Sequence, residues 1–394
     1  MRCPATVQLS GFGAKAETIQ HLCGAQRVSP NHRGYCLNRS NLLRAVVGLL
    51  IAASFIYFAF KGISFSSLLR DSLKANFYIL LLTVVIVLFS HFVRALRWRV
   101  IMQELKQDIS LVNTWGSITV GYLFNNFLPQ FGEIVRGYVT GRLEGIRISG
   151  VFGTMVLERL FDMISSGILF GVALLLYHGE LTRSFPFLRV VGLLLVAGSL
   201  VIGGFLYMSS ISEKVQRSLL HIVEVFLPGK FAHRVESVIL SFLISFRLLR
   251  SGKRVGSVTF YTAVMWLAYI LTMYIPFFAF SFGTSLHLTF LDAFLLMLVT
   301  SVAWALPSPG GMGVYHLFVS QALVIISGVP KDEALAYASV TYLFGYVAVT
   351  IVGSIFVFIF ARKLKINSLG KLMRIEEEPS GGTCCLKKKC NRKT

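Results

Sequence analysis

Acidic side chains are scarce in this chain: 18 Asp and Glu stand against 38 Lys and Arg in 394 residues, and charged residues of both signs make up only 14%. An ordinary soluble domain carries about 25%, so a water-solvated surface is excluded for most of the length. Cysteine is missing from every long apolar stretch, with Cys3, Cys23, Cys36, Cys384, Cys385 and Cys390 all near the ends. A disulfide framework is therefore excluded as the basis of the fold. The CC-x4-C cluster among the C-terminal lysines matches no strong zinc spacing, so no metal is expected. The first forty residues lack the apolar core of a signal peptide. No connection is long enough for a soluble catalytic domain; the largest runs from Ser209 to Arg254. Inside it, Val235 to Leu249 is apolar but short, and suits an interfacial helix or a simple connector.

What the chain does hold is hydrocarbon. Hydrophobic residues make up 55%, and mean hydropathy is +0.70. Runs near the ~20 residues that cross a bilayer recur. They are Leu42 to Phe60, Phe77 to Val93, Ser149 to Tyr177, Val190 to Met208, Val255 to Phe282, Leu288 to Leu306, Val314 to Ser327 with its flanks, and Leu335 to Phe360. The expectation is an all-α polytopic membrane protein of about eight transmembrane helices, with re-entrant or broken segments near Pro129 and Pro309. Residues 1–40 are expected to form a disordered basic tail, 41–365 the membrane domain, and 366–394 a second disordered tail with lysines and cysteines.

The formal net charge of +20 reads first as topology. Arg94, Arg97, Arg99 and Lys106 follow the second run, the 209–254 connection is rich in Lys and Arg, and Arg362, Lys363 and Lys365 follow the last. The alternate loops, Lys61 to Lys74 among them, are poorer. Both termini are then expected in the cytoplasm, with the protein in the cell membrane, provided that the Pro129 segment enters and leaves on one side. Anionic lipid headgroups suit these dispersed basic loops better than a nucleic acid does, so no nucleic-acid partner is expected.

Three segments break the apolar pattern. In GYLFNNFLPQFGEIVRGYVTGRLEG, Gly121 to Gly145, an apolar run stops at Leu128-Pro129 and turns into Gly132-Glu133-Ile134-Val135-Arg136. Proline removes a backbone donor, glycine permits a turn, and ionisable groups at membrane depth point to function. In VLERLFDM, Glu158 and Asp162 share a helical face within the third run, and Arg159 is three residues from Asp162. Such a face is expected to meet a polar cavity or the Glu133–Arg136 segment; a buried ion cluster that only fixes packing is the alternative. In ALPSPGGMGVYHLF, Pro307 and Pro309 stop a helix, and Gly310, Gly311 and Gly313 permit a tight turn. No GK[ST] follows, so a nucleotide phosphate loop is excluded. Tyr315 and His316 are candidates for lining a cavity there, with a plain turn between spans as the alternative. Paired interruptions in two halves are a pointer to a transporter site near the midplane. Asp292 is expected at the outer interface.

At these motifs the chain resembles the lysylphosphatidylglycerol synthase transmembrane-region family, also described as flippase-like membrane proteins. The resemblance spans about residues 45 to 360 and rests on NNFLP (Asn125 to Pro129), GEIVR (Gly132 to Arg136), ERLFD (Glu158 to Asp162) and PSPGGMGVYH (Pro307 to His316). It implies movement of a phospholipid or isoprenoid-linked lipid between leaflets, with a lipid synthase as a possible partner. Arg136 and Arg159 would then bind phosphate, with Asn126, Glu133, Glu158 and Asp162 completing the headgroup site and the Gly310–Gly313 segment acting as a hinge. Only Gln130 and Phe131 separate Leu-Pro from Gly-Glu, where members commonly have three residues, one of them basic. The aminoacyltransferase domain of the full resistance factors is not found in these 394 residues. A transporter is thus expected rather than an enzyme, with no catalytic residue and no cofactor assigned. The alternatives are a membrane-embedded transferase with Glu133 or Asp162 as general base, and an accessory subunit of a lipid synthase.

Overall fold

Asn76 starts the first long helix, its side chain accepting the Tyr78 amide at 3.0 Å and so satisfying a donor that the helix cannot. In the computed structural model, residues 54–55, 57–59, 65–128, 130–176, 187–211, 251–282, 286–306 and 308–364 are described. The chain divides into two units, 1–43 and 44–394, and the first lies wholly outside the described residues. Both expected tails, most of the Leu42–Phe60 run, the 235–249 segment, Pro129 and Pro307 also lie outside them.

The described elements are helical: α1 (Phe65–Leu73), α2 (Phe77–Met102), α3 (Leu111–Phe127), α4 (Phe131–Glu144), α5 (Ile148–Leu176), α6 (Phe187–Ile211), α7 (Gly252–Ala279), α8 (Phe290–Ala305), α9 (Val314–Ser327) and α10 (Lys331–Lys363). Among the described residues, five stretches are long and apolar enough to cross a membrane: α2, α5, α7, α10 and Pro309–Ser327. Shorter apolar stretches occupy Arg189–Phe205 and Phe290–Ala305. The protein is an all-α polytopic membrane protein. Exposed leucines and valines on α6, such as Leu193, Leu194 and Val201, suit a hydrocarbon surround.

Two of the sequence expectations are corrected here. The Lys61–Lys74 loop contains a helix, α1. The second run does not end at Val93, because α2 continues to Met102 and carries Arg94 and Arg97 inside the bundle, at 7% and 0% exposure. These two arginines are buried parts of α2 and not loop charges.

The first break is a helical hairpin. Leu128 leaves α3 with an extended backbone, φ −129° and ψ 119°, as a residue before proline favours. Gln130 turns the chain with φ 61°, and α4 runs back antiparallel. At 17 and 14 residues the arms measure about 25 and 21 Å, short of a full span. The arms touch backbone to backbone: a Cβ on Gly132 would lie 1.8 Å from the Gly121 carbonyl oxygen. At the far end, buried Glu144 accepts Asn113 Nδ2 at 2.6 Å and the Ser110 amide at 3.3 Å. The base is tied on by Lys106 Nζ to the Glu144 carboxylate at 3.1 Å and by Lys363 Nζ, donating to Asn113 Oδ1 at 3.0 Å.

The second break follows α8, where Pro309–Gly311 form a single 3-10 turn and Gly310, Gly311 and Gly313 take φ of 57°, 74° and 79°. Only glycine adopts these at little cost. Asp292 caps α8, accepting the Thr289 amide at 2.8 Å. One apolar core joins α7, α8, α9 and α10, and another joins α2, α3, α5 and α7. A third, smaller cluster packs the hairpin against α10.

Candidate functional site

Glu158 is at the centre. Its place on α5 puts it at 0% exposure, where a lone carboxylate would be prohibitive. Two helices answer with three arginines. Arg94 Nε on α2 donates to Glu158 Oε1 at 2.7 Å, Arg97 Nη2 reaches the same oxygen at 3.2 Å, and Arg136 Nη2 on α4 donates to Oε2 at 2.7 Å. One turn further along α5, Asp162 Oδ1 accepts Arg97 Nη1 at 2.6 Å. Arg97 Nη1 also reaches Thr262 Oγ1 on α7 at 3.3 Å. The Arg136 guanidinium lies 4.3 Å from the centre of the Trp98 ring, a cation–π contact, and Trp98 Nε1 donates to Thr154 Oγ1 at 3.1 Å. Arg94 also donates to the Tyr122 hydroxyl.

The rim is more open. Arg159, its side chain 48% exposed, pairs with Glu133 rather than with Asp162, three residues away. Glu133 Oε2 also lies 3.6 Å from Arg136 Nη2. Four guanidiniums thus face three carboxylates, a formal excess of one positive charge. Arg94 Nη2 and Arg136 Nε have no hydrogen-bond partner among the described residues. Both residues border a narrow cleft of about 10 Å³ shared with Gly121, Tyr122, Asn125 and Glu133. That is room for about one water molecule.

The structure therefore brings Glu133, Arg136, Glu158, Arg159 and Asp162 into one network. Arg94 and Arg97, absent from the sequence assignment, belong to it. Their spacing of three on one helical face was the available signal, but next to a basic stretch it read as membrane-edge charge. Asn126 does not join the network: its Nδ2 donates to Thr350 Oγ1 on α10 at 2.9 Å. Its neighbour Asn125 borders the polar cleft and accepts the Gly132 amide at 2.7 Å.

The two breaks do meet. A Cβ on Gly310 would lie 3.2 Å from Asn126 Oδ1, and the Tyr342 hydroxyl donates to the Gly310 carbonyl at 3.0 Å. Tyr315 is buried with its hydroxyl 3.2 Å from Thr341 Oγ1, and the His316 ring centre is 4.8 Å from that of Tyr342. Both sit in an aromatic packing cluster, and neither borders the polar cleft. Among the described residues, no three His, Cys, Asp or Glu side chains gather as a metal ligand set.

Residues 45–353 match the model of the lysylphosphatidylglycerol synthase transmembrane region. The chain belongs to that family. Among its relatives is a UPF0104 membrane protein of Pyrococcus horikoshii, 27% identical over 317 residues, covering 75% of this chain and 91% of the relative. Another UPF0104 membrane protein, from Methanothermobacter thermautotrophicus, is 26% identical over 306 residues, covering 74% and 86%. No solved structure matches the chain. The family match runs from the edge of the first apolar run through most of α10, so the hairpin, the arginine network and the second break all fall within it.

Proposed function

We propose that this member of the lysylphosphatidylglycerol synthase transmembrane-region family binds a phosphate-bearing lipid, phospholipid or isoprenoid-linked, and moves it between leaflets of the cell membrane. The observation that carries this reading is the excess of arginine over carboxylate at the junction of hairpin and bundle, with one ion pair, Glu133–Arg159, left at an accessible rim. Placing several charges within a membrane protein costs about 2.5–3.5 kcal/mol each at a helix centre, and arginine's planar fork matches a phosphate as well as it matches a carboxylate. Arg159 meets the headgroup first. Phosphate then competes with Glu133 for Arg159 and Arg136, and displacement of Glu133 exposes Arg94 Nη2 and Arg136 Nε, which are unpaired among the described residues. The acyl chains stay in hydrocarbon throughout. In this reading both termini face the cytoplasm, and the basic loops rest on anionic headgroups.

A second reading is favoured by the complete burial of Glu158 and Arg97: the network is a packing lock in an accessory subunit of a lipid synthase. Reconstitution separates the two. Purified protein goes into phosphatidylcholine vesicles with fluorescent phosphatidylglycerol in one leaflet, and dithionite reports exchange. Arg159→Ala, at an exposed position, is expected to abolish exchange while yield and melting temperature stay unchanged, and Arg159→Lys to retain part of it. Exchange no faster than in protein-free vesicles sinks the transport reading, and exchange that is indifferent to Arg159→Ala and Arg159→Glu sinks the role given to Arg159 at the headgroup.

A further inference from the structure

An apolar cavity lies behind the network. Helices α5 and α6 are pressed together along one half of their length by small residues: a Cβ on Gly171 would lie 2.6 Å from the Gly192 carbonyl oxygen, and one on Gly167 would lie 2.1 Å from Ser199 Oγ. Further along they splay, and at Gly203 the nearest atom to an added Cβ is Ile164 Cδ1, at 3.8 Å. With α7 as the third wall, this wedge becomes a cleft of about 300 Å³, bordered on α5 by residues from Leu157 to Ile168. That is about 17 Å of helix, and the volume is at the lower end of the ~300–1,000 Å³ of small-molecule sites.

Two features say what occupies it. The Ser165 hydroxyl in the wall donates to the Phe161 carbonyl at 2.7 Å and accepts Trp266 Nε1 at 3.0 Å, while Thr262 donates to the Val258 carbonyl at 2.7 Å. These groups are already used within the protein, and the remaining lining is mainly hydrocarbon. Thr262 also links two compartments, because the side chain that forms part of this wall accepts Arg97 Nη1 of the arginine network at 3.3 Å. A hydrocarbon slot whose wall is hydrogen-bonded to a phosphate-type cluster has the shape of an amphiphile.

We propose that this cleft holds one hydrocarbon chain of the lipid whose phosphate engages the arginine network. The proposal rests on the headgroup reading given above and adds a chain site between α5, α6 and α7. The chain lies along the Leu157–Ile168 face, with its polar end towards Thr262 and Arg97.

The test uses the full chain in phosphatidylcholine vesicles doped with phosphatidylglycerol carrying a photoactivatable diazirine in mid-chain, and a parallel sample with diacylglycerol carrying the same chain. After irradiation, adducts are mapped by peptide mass spectrometry. The expected result is labelling of 157–168 and 203–207 several-fold stronger with phosphatidylglycerol than with diacylglycerol. It should be lost on Ile168→Trp and on Gly203→Trp, which fill the cleft from opposite walls, with melting temperature checking each fold. Adducts spread over the outward faces and insensitive to both substitutions overturn the chain site. If leaflet exchange still depends on Arg159, the headgroup reading survives that loss. Equal cleft labelling by both probes, together with exchange indifferent to Arg159→Ala, overturns the headgroup reading and with it the proposed coupling.

Discussion

Glu158 and Arg136, 22 positions apart, meet at 2.7 Å with side-chain exposures of 0% and 3%. This contact joins hairpin to bundle, since α4 carries the arginine and α5 the carboxylate. Arg94 and Arg97 arrive from α2, so a single carboxyl group fixes three helices at once. Buried ion networks seldom add net stability over an apolar core, but losing one partner is severe.

Replacing Glu158 with Ala is therefore expected to strip Arg94 of its carboxylate, to leave Arg97 and Arg136 with only Asp162 and Glu133, and to cost about 3–5 kcal/mol. Folded yield and melting temperature in nanodiscs should both collapse. At the rim, where the Glu133 side chain is 32% exposed, Glu133→Ala should cost below about 1 kcal/mol. Equal tolerance of the two substitutions contradicts the buried-hub description.

The hairpin closes only because two glycines allow it. Gly132→Ala drives a methyl group into the Gly121 carbonyl, which is backbone and cannot rotate away; a penalty at or above the usual ~1–3 kcal/mol of overpacking follows. Gly145 ends α4 in the left-handed region with φ 66° and open space around its Cβ position. There Gly145→Ala costs about 1–2 kcal/mol of backbone strain, and Gly145→Asn should recover much of it. Ser at 132 should be no better than Ala. Urea or thermal unfolding of the four variants checks the pattern.

At the base of the hairpin, Glu144 receives Asn113, Ser110 and Lys106. Glu144→Leu removes the carboxylate that all three donors share; Lys106, with its side chain 42% exposed, turns to water, while the buried Asn113 amide is left unsatisfied at a cost of about 1–3 kcal/mol. Hydrogen–deuterium exchange of the 106–113 and 131–144 amides should speed up by about tenfold or more, while α7 to α9 keep their protection. Uniform protection would show that the base does not hold the hairpin.

Contact between the end of α3 and α10 can be trapped. With the six native cysteines changed to serine, Asn126→Cys combined with Thr350→Cys should be bridged by mild oxidation or by a short dimaleimide in native membranes, because these side chains are 2.9 Å apart. The control pair, Asn125→Cys with Thr350→Cys, should stay unbridged, since Asn125 faces Gly132. Bridging of the control and not of the test pair reverses the assignment of the two asparagines.

Much of the fold was legible in one dimension. Apolar run length and the scarcity of charge determine a multi-span helical protein, because a bilayer sets the length and hydrogen-bond self-sufficiency sets the helix. Leu128-Pro129 and the Pro309–Gly313 cluster mark the two interruptions, since proline and glycine act locally. The shared face of Glu158 and Asp162 also follows from spacing alone. Which arginines answer those acids does not. Arg94 and Arg97 stand at the polar end of an apolar run, where a membrane-edge charge and a buried ligand of Glu158 look alike; α2 continuing to Met102 and packing against α5 and α7 decides it. The same holds for Arg159, which turns from its helical neighbour Asp162 to Glu133 on another helix, and for Asn126, which leaves the charged network for Thr350. Periodicity reports what lies on one helix, whereas pairing across helices depends on crossing geometry, which here is set by contacts as close as that between Gly121 and Gly132.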